Sequence, residues 1–304
     1  MREESEVHRF ACTQCGKCCN RAPEVELSEA ALLLDVFVFR LMFRLYWLPQ
    51  QVGDYRQNGE RSPNSSSVFF EKKRLLNAFG ARKYPAKGQR DGKPVAYTKY
   101  LVISALALDT IEGECNALSE SKCGIYDRRP MSCRSVPLHY SRAEANAAKD
   151  LEAFVNTRGY RCDTSGGAPI ILEGGHIVDP QINAARSAAK ALAARDRHWS
   201  EAIVRRMGGS VSQGLSLPSL EEVEASAGLG AVTVSMRAAW QVAEEIGSIT
   251  PDECSARVEL QLQTIRQKLA LGGCSSAAIE TLTQMEREYA RHSHGNSVSA
   301  ISAL

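Results

Sequence analysis

The sequence predicts an α+β fold: a small cysteine-rich sheet and loop region that binds metal, one long buried helix, and a mostly α-helical C-terminal half. Three observations predict it. Eight of the ten cysteines fall between residues 12 and 162. The stretch from Ala30 to Leu48 is apolar except for Asp35, Arg40 and Arg44. Beyond residue 166, helix start and stop signals recur at short intervals. The implied domains are a cysteine-cluster domain over 1–165, carrying an insertion at about 49–94, and a helical region over 166–304.

The chain is organised around Cys12-Thr13-Gln14-Cys15-Gly16-Lys17-Cys18-Cys19. Thiols this close cannot all pair as disulfides, which need Cα atoms about 4.4–6.8 Å apart in a defined geometry. A soft metal accepts them readily, because thiolates on short turns converge on one point and select zinc, copper(I) or iron–sulfur clusters. Composition is that of a globular protein, with 44% hydrophobic and 24% charged residues. A net charge of +2 gives no whole-chain footprint for specific nucleic-acid binding. The start, Met1-Arg2-Glu3-Glu4-Ser5-Glu6, has no apolar signal region. With ten cysteines and no export signal, a reducing cytoplasm is expected, where thiols serve metals or catalysis.

Residues 30–48 are long enough to suggest a membrane span, but each internal charge would cost about 2.5–3.5 kcal/mol at a bilayer centre. A buried helix is the better reading, and a helix lying in a membrane interface is the weaker one. Ser28 is its expected N-cap, Glu29 suits its first turn, and Pro49 ends it. Pro23 to Leu27 reads as extended. Gly53 to Ser67 reads as a loop, Val68 to Phe79 as an apolar patch with a basic amphipathic turn, and Tyr84 to Pro94 as a turn-rich basic linker. Val95 to Leu108 is rich in β-branched and aromatic residues and reads as strand. The basic positions from Arg56 to Lys99 read as a solvated face open to an acidic partner.

Further on, Ile170 to Val178 reads as a hairpin closed by Gly174 and Gly175. Asp179-Pro180 caps a helical stretch reaching about Arg206, and Gly208 to Pro218 is a linker. Helices are expected after Ser219, over Val232 to Ile246, from the capping box Thr250-Pro251-Asp252-Glu253 to Gly272-Gly273, and over about Ser276 to Arg291. The small, polar tail from His292 to Leu304 reads as frayed.

The remaining cysteines are Cys115, Cys123 and Cys133 on loop-like spacings, and Cys162. Cys12-x2-Cys15-x2-Cys18-Cys19, together with Cys123-x-Ile125-Tyr126-x2-Arg129-Pro130-x2-Cys133-Arg134 and a downstream proline, resembles the YkgJ-type cysteine-cluster family. The resemblance covers about residues 8–165 and implies a zinc- or iron-chelating domain, with Cys162 matching the family's late cysteine. It extends more distantly to the flagellin lysine methylases, which implies an iron–sulfur enzyme using S-adenosylmethionine; the cysteine spacing here departs from theirs.

Four thiolates suit zinc or an iron–sulfur cluster equally in ligand type. The adjacent Cys18 and Cys19 diverge in an extended chain and fit poorly into paired zinc knuckles, which favours iron–sulfur, [4Fe–4S] first. The expected ligands are Cys12, Cys15, Cys18, Cys19, Cys115, Cys123, Cys133 and Cys162. Arg129 and Arg134 are expected beside the cofactor, tuning it through hydrogen bonds to sulfur or by offsetting thiolate charge; the alternative is that Arg129 and Pro130 shape a turn. Tyr126 reads as packing; His8, His139 and His176 as ordinary histidines; Cys254 and Cys274 as structural thiols.

Three functions follow as expectations. The first is a cluster-bearing redox or modifying protein, which as an enzyme would be an iron–sulfur oxidoreductase or methyltransferase. The second is a structural zinc module that mediates protein interactions, and the third an S-adenosylmethionine-dependent protein lysine methylase with a protein substrate. Rossmann, P-loop, Gly-x-Ser-x-Gly and HExxH motifs are missing, so nucleotide and hydrolase chemistry has no sequence support.

Overall fold

The computed structural model describes residues 6–56, 65–110, 114–211, 215–226 and 231–293. It opens with β1 (Val7–Arg9), β2 (Glu24–Val25) and a single helical turn, α1 (Leu27–Ala30). The apolar run then becomes a strand, β3 (Phe39–Pro49). Helix α2 (Ser65–Phe79) leads into a long hairpin of β4 (Gly80–Arg90) and β5 (Lys93–Ala107). A small hairpin, β6 (Leu118–Ser119) with β7 (Lys122–Cys123), precedes α3 (Met131–Arg134) and α4 (Ala147–Val155). Next come β8 (Ile170–Glu173), β9 (His176–Ile177), α5 (Pro180–Arg195) and α6 (Arg197–Arg205). The chain finishes with β10 (Ser210–Val211), β11 (Leu215–Ser216), α7 (Leu220–Ala225), β12 (Val232–Ser235), α8 (Met236–Glu245), α9 (Pro251–Leu271) and α10 (Ser276–Ser293). The protein is thus mixed α and β with a helical C-terminal part.

Several expectations are corrected. The long buried helix over 30–48 does not form. Aromatic and β-branched residues dominate from Val36 to Trp47 and favour a pleated strand. Arg40 and Arg44, four apart, share a face in either a helix or a strand, so their spacing could not decide between the two. Ser28 does not cap α1; Glu26 holds the N-cap position, and the Ser28 amide donates to Asp196 Oδ2 at 2.8 Å. The supposed linker over 84–94 is strand, alternating half-buried and exposed residues from Tyr84 to Arg90. Its turn is Asp91-Gly92, both at positive φ (52° and 72°), a two-residue hairpin signal. Pro85 is tolerated because β4 pairs on one side only, with β5.

The region around 68–79 is a full helix, α2. The linker at 208–218 holds the hairpin of β10 and β11. Residues 232–235 are strand, so the helix expected from Val232 starts at Met236. Much of the loop expected over 53–67, and most of the tail from His292, lies outside the described residues. The helix starts at Pro180, Leu220 and Pro251 fall where their caps place them.

The chain divides into two compact units, neither a single run of sequence, so the division does not follow a cut at 165/166. One unit comprises 1–18, 45–102 and 119–195. In it β1, β8 and β9 form a three-stranded antiparallel sheet, and Phe10, Leu138, Leu151, Ile171, Leu172 and Ile182 build a core against it. The hairpin of β4 and the first part of β5 packs Tyr100 and Val102 with Leu48, Phe69 and Leu76. Arg186, 4% exposed, is held there by the carbonyls of Leu138, His139 and Arg142.

The other unit comprises 19–44, 103–118 and 196–304. Here β12 pairs antiparallel with the first half of β3, and β2 with the end of β5. Helix α9 lies against the entry to β3 through two buried polar side chains. The Gln261 amide accepts from the Phe39 N–H at 2.9 Å and donates to the Phe37 carbonyl at 3.0 Å. The Thr264 hydroxyl donates to the Leu34 carbonyl at 2.6 Å.

Gln261→Leu would leave two buried backbone groups unsatisfied, each worth about 1–3 kcal/mol. A loss of about 2–6 kcal/mol in urea denaturation is expected from that sum. Gly92→Ala meets no atom within 4 Å, so its cost is backbone strain alone, about 1–2 kcal/mol.

Candidate metal centre

The ladder begun by β1 and β8 continues past the sheet. The Phe10 N–H donates to the Pro169 carbonyl at 3.1 Å, and Ala11 and Asp163 exchange both backbone bonds at 2.7 and 3.1 Å. This antiparallel bridge sets Cys12 beside Cys162 and Thr13 beside Arg161, since the next residue on one strand faces the preceding one on the other. Directly opposed residues have Cβ atoms about 4.5–5.5 Å apart. The Thr13 hydroxyl reaches the Arg161 carbonyl at 2.8 Å, across the same pair of segments. Phe10 anchors the bridge in the core, edge-on to Phe154 with ring centres 6.0 Å apart.

After Cys12 the chain curls through positive φ at Gln14 (56°) and Gly16 (71°). The curl aims backbone N–H groups at sulfur: Gln14 donates to Cys12 Sγ at 3.4 Å. Burial works to raise the Cys15 thiol, yet backbone hydrogen bonds from Lys17 and Arg161, with the Thr13 hydroxyl in reach, hold it below its ordinary value. Hydrogen bonds to the charged form favour the thiolate. Cys162 behaves oppositely: burial, and then the neighbouring thiols of Cys18, Cys15 and Cys12, push it up to about 11. Four thiols from segments far apart in sequence therefore sense one another within a single unit.

Two of the other expected ligands lie in the second unit. The Cys115 N–H donates to the Cys19 carbonyl at 2.9 Å. Asn116 braces this loop, accepting from the Thr110 hydroxyl at 2.7 Å and donating to the Leu108 carbonyl at 2.8 Å. The Ser275 N–H reaches the Thr110 carbonyl at 2.9 Å, which brings Cys274 to the same neighbourhood. Burial lowers the Lys268 ammonium, while Cys274 and Cys115 both act to raise it. Cys274, expected as a structural thiol, thus shares a lysine with Cys115. The available signal was Gly272-Gly273, both at positive φ, which turns the chain back after α9. Cys254 is the buried structural thiol expected, 3% exposed and pushed up to about 12 by burial.

Cys123 lies in β7 and Cys133 on α3. Arg129 and Arg134 brace the 3-10 turn Tyr126–Arg128: Arg129 Nε donates to the Tyr126 carbonyl at 3.0 Å and stacks on its ring at 3.7 Å. Arg134 bonds the carbonyls of Arg129 and Asp127 at 2.8 and 2.7 Å. Both arginines therefore donate to backbone carbonyls of the segment from Tyr126 to Arg129. His139 stacks on Tyr140 and pairs with Ser141; His8 lies near Glu6, and His176 near Glu144.

No disulfide links the ten cysteines. Among the described residues, no three His, Cys, Asp or Glu side chains converge tightly enough to hold a metal ion. The donor chemistry around Cys12, Cys15, Cys18 and Cys162 nevertheless fits a soft metal: sulfur ligands with amide N–H groups directed at them. No helix among the described residues is long and apolar enough to cross a membrane.

No known protein family, characterised protein or solved structure matches this chain.

In the metal-free protein, iodoacetamide labelling followed by mass spectrometry across pH should modify Cys15 first. Cys162 and Cys254 should label last, because their protons are held well above the ordinary thiol value. Between about pH 9 and 11 the unfolded chain has released the Cys162 proton while the native state retains it. Stability of the metal-free protein should therefore fall as pH rises through that window.

Proposed function

We propose that this is a metal-binding protein whose Cys12, Cys15, Cys18 and Cys162 hold a Cys-ligated iron–sulfur cluster, [4Fe–4S] in type, with a redox or substrate-modifying role in the cytoplasm. The observation that carries the reading is the Ala11–Asp163 bridge, which brings the remote Cys162 to the Cys12–Cys18 turn. The N–H groups of Gln14, Lys17 and Arg161 would offset thiolate charge and so set the potential. Such a cluster supplies one-electron transfer when bound. Cys19 and Cys115, with Cys274 near them, are the donors for a second centre, and Cys123 and Cys133 stay in reserve as ligands.

A zinc-bound structural module is the second reading. The amide-to-sulfur bond inside the Cys12–Cys15 turn favours it, because tetrahedral zinc uses the same kind of Cys-x2-Cys turn. Its role would be to fold the cysteine-bearing segments for contact with a partner protein.

Iron, zinc and acid-labile sulfide analysis of anaerobically purified protein separates the two. The cluster reading expects about four irons per centre with matching sulfide and a broad visible absorbance. Cys162→Ser and Cys12→Ser should each lose most of the iron of the first centre, whereas Cys254→Ser should keep it. Zinc without sulfide would replace the cluster by the structural module. Retention of full metal by Cys162→Ser would overturn the assigned ligand set.

A further inference from the structure

We propose that one face of the β4–β5 hairpin, with Trp47 beside it, binds single-stranded nucleic acid without sequence preference. From Gly80 to Lys99 the hairpin carries six cationic side chains, Arg82, Lys83, Lys87, Arg90, Lys93 and Lys99, against the single carboxylate of Asp91. The whole chain carries only +2, so this excess is local. The stretch and Trp47 both lie within the first unit.

The strand register sorts these residues. Tyr84 pairs with Lys99, Ala86 with Tyr97, Gly88 with Val95 and Arg90 with Lys93. Arg82, Tyr84, Lys99, Tyr97, Arg90 and Lys93 therefore share one face, because side chains alternate along a strand. Cations and rings alternate on it. The Arg82 guanidinium lies 5.6 Å from the Tyr84 ring centre, the Lys99 ammonium 4.2 Å from that of Trp47, and the Arg90 guanidinium 6.0 Å from that of Tyr97. Trp47 meets Tyr97 edge-on at 5.8 Å, which continues the file across to β3. Gly88 makes room for it, since a Cβ there would come within 3.1 Å of the Tyr97 ring. The Asp54 carbonyl accepts from Arg90 and holds that end in place.

The charge is open to a ligand. Arg82, Lys83, Lys87 and Lys93 are exposed, and none of the four makes an ion pair among the described residues. Resting on a ring orients a cation without cancelling its charge. Trp47 is 44% exposed, whereas Trp199 and Trp240 are buried. A row of cations tracks a phosphate backbone, and an exposed ring is a platform on which any unpaired base can stack. A duplex keeps its bases stacked on one another and leaves the indole without that partner. An acidic polypeptide would use the lysines but not the tryptophan. A lipid surface calls for apolar side chains to insert, where the hairpin instead exposes Pro85, Gln89, Pro94 and Ala96. Lysine and proline on β4 also guard an edge strand against pairing with another sheet, but that task needs neither arginines ordered on rings nor an exposed tryptophan.

The test is fluorescence anisotropy of a fluorescein-labelled oligothymidylate of about 15 nucleotides, titrated with the full chain. It should bind at low salt and weaken as salt is added, the logarithm of the binding constant falling by about 0.7 per contacted phosphate for each tenfold rise in salt. Unlabelled oligothymidylate should quench tryptophan fluorescence, because Trp47 is the exposed one of the three indoles. Arg82→Gln combined with Lys93→Gln, both exposed changes that should leave the melting temperature unaltered, should weaken binding about tenfold or more. Lys149→Gln, exposed on α4 of the same unit, should have no effect. Trp47→Leu should weaken binding, and Trp47→Phe should restore most of it. Absence of binding at low salt, or unchanged affinity in the Arg82/Lys93 variant or in Trp47→Leu, would overturn the inference. So would polyglutamate, phosphatidylserine vesicles or a duplex of the same length binding as tightly as the oligothymidylate. None of these readouts depends on metal content.

Discussion

Two backbone hydrogen bonds between Ala11 and Asp163 decide where the first group of thiols can lie. They extend the β1–β8 ladder by one step beyond the packed sheet, and everything at the candidate metal centre hangs from that extension. Phe10, immediately before it, is buried among Leu138, Leu151, Ile171 and Leu172, so the register cannot slip without exposing an aromatic ring. With the register held, Cys12 and Cys162 must face the same small volume. The positive-φ turn at Gln14 and Gly16 then brings Cys15 and Cys18 round to it.

Opposed electrostatic effects meet at that volume. Amide donors favour the Cys15 thiolate, whereas burial and three neighbouring sulfurs oppose ionisation of Cys162. Thiols gathered in this way repel one another once ionised, and a cation among them relieves the repulsion.

In the second unit the organising demand is to satisfy buried backbone groups. The chain enters β3 through an irregular stretch, and the amides and carbonyls around Phe37 and Phe39 find partners in Gln261 rather than in water. Thr264 does the same for Leu34. These side chains lie on one face of α9, three residues apart, so a single helix covers the whole entry.

Local chemistry was legible in the sequence. The capping boxes at Ser219 and Thr250, the Asp179-Pro180 start, the Gly174-Gly175 hairpin and the strand from Val95 depend on neighbours within a few residues, and so they were readable. The cysteine cluster was equally plain as a collection of soft ligands. Long-range placement was not. The run after Asp35 is apolar at both helical and strand spacings, and only its pairing with neighbouring strands, β12 and β5, settles it as a strand. The bridge from Ala11 to Asp163 closes a loop of about 150 residues, and the approach of Cys274 to Cys115 one of similar length, so no local pattern encodes either. Residue types determined which chemistry this protein has available; packing of buried apolar faces and pairing of backbone groups decided which of those residues meet.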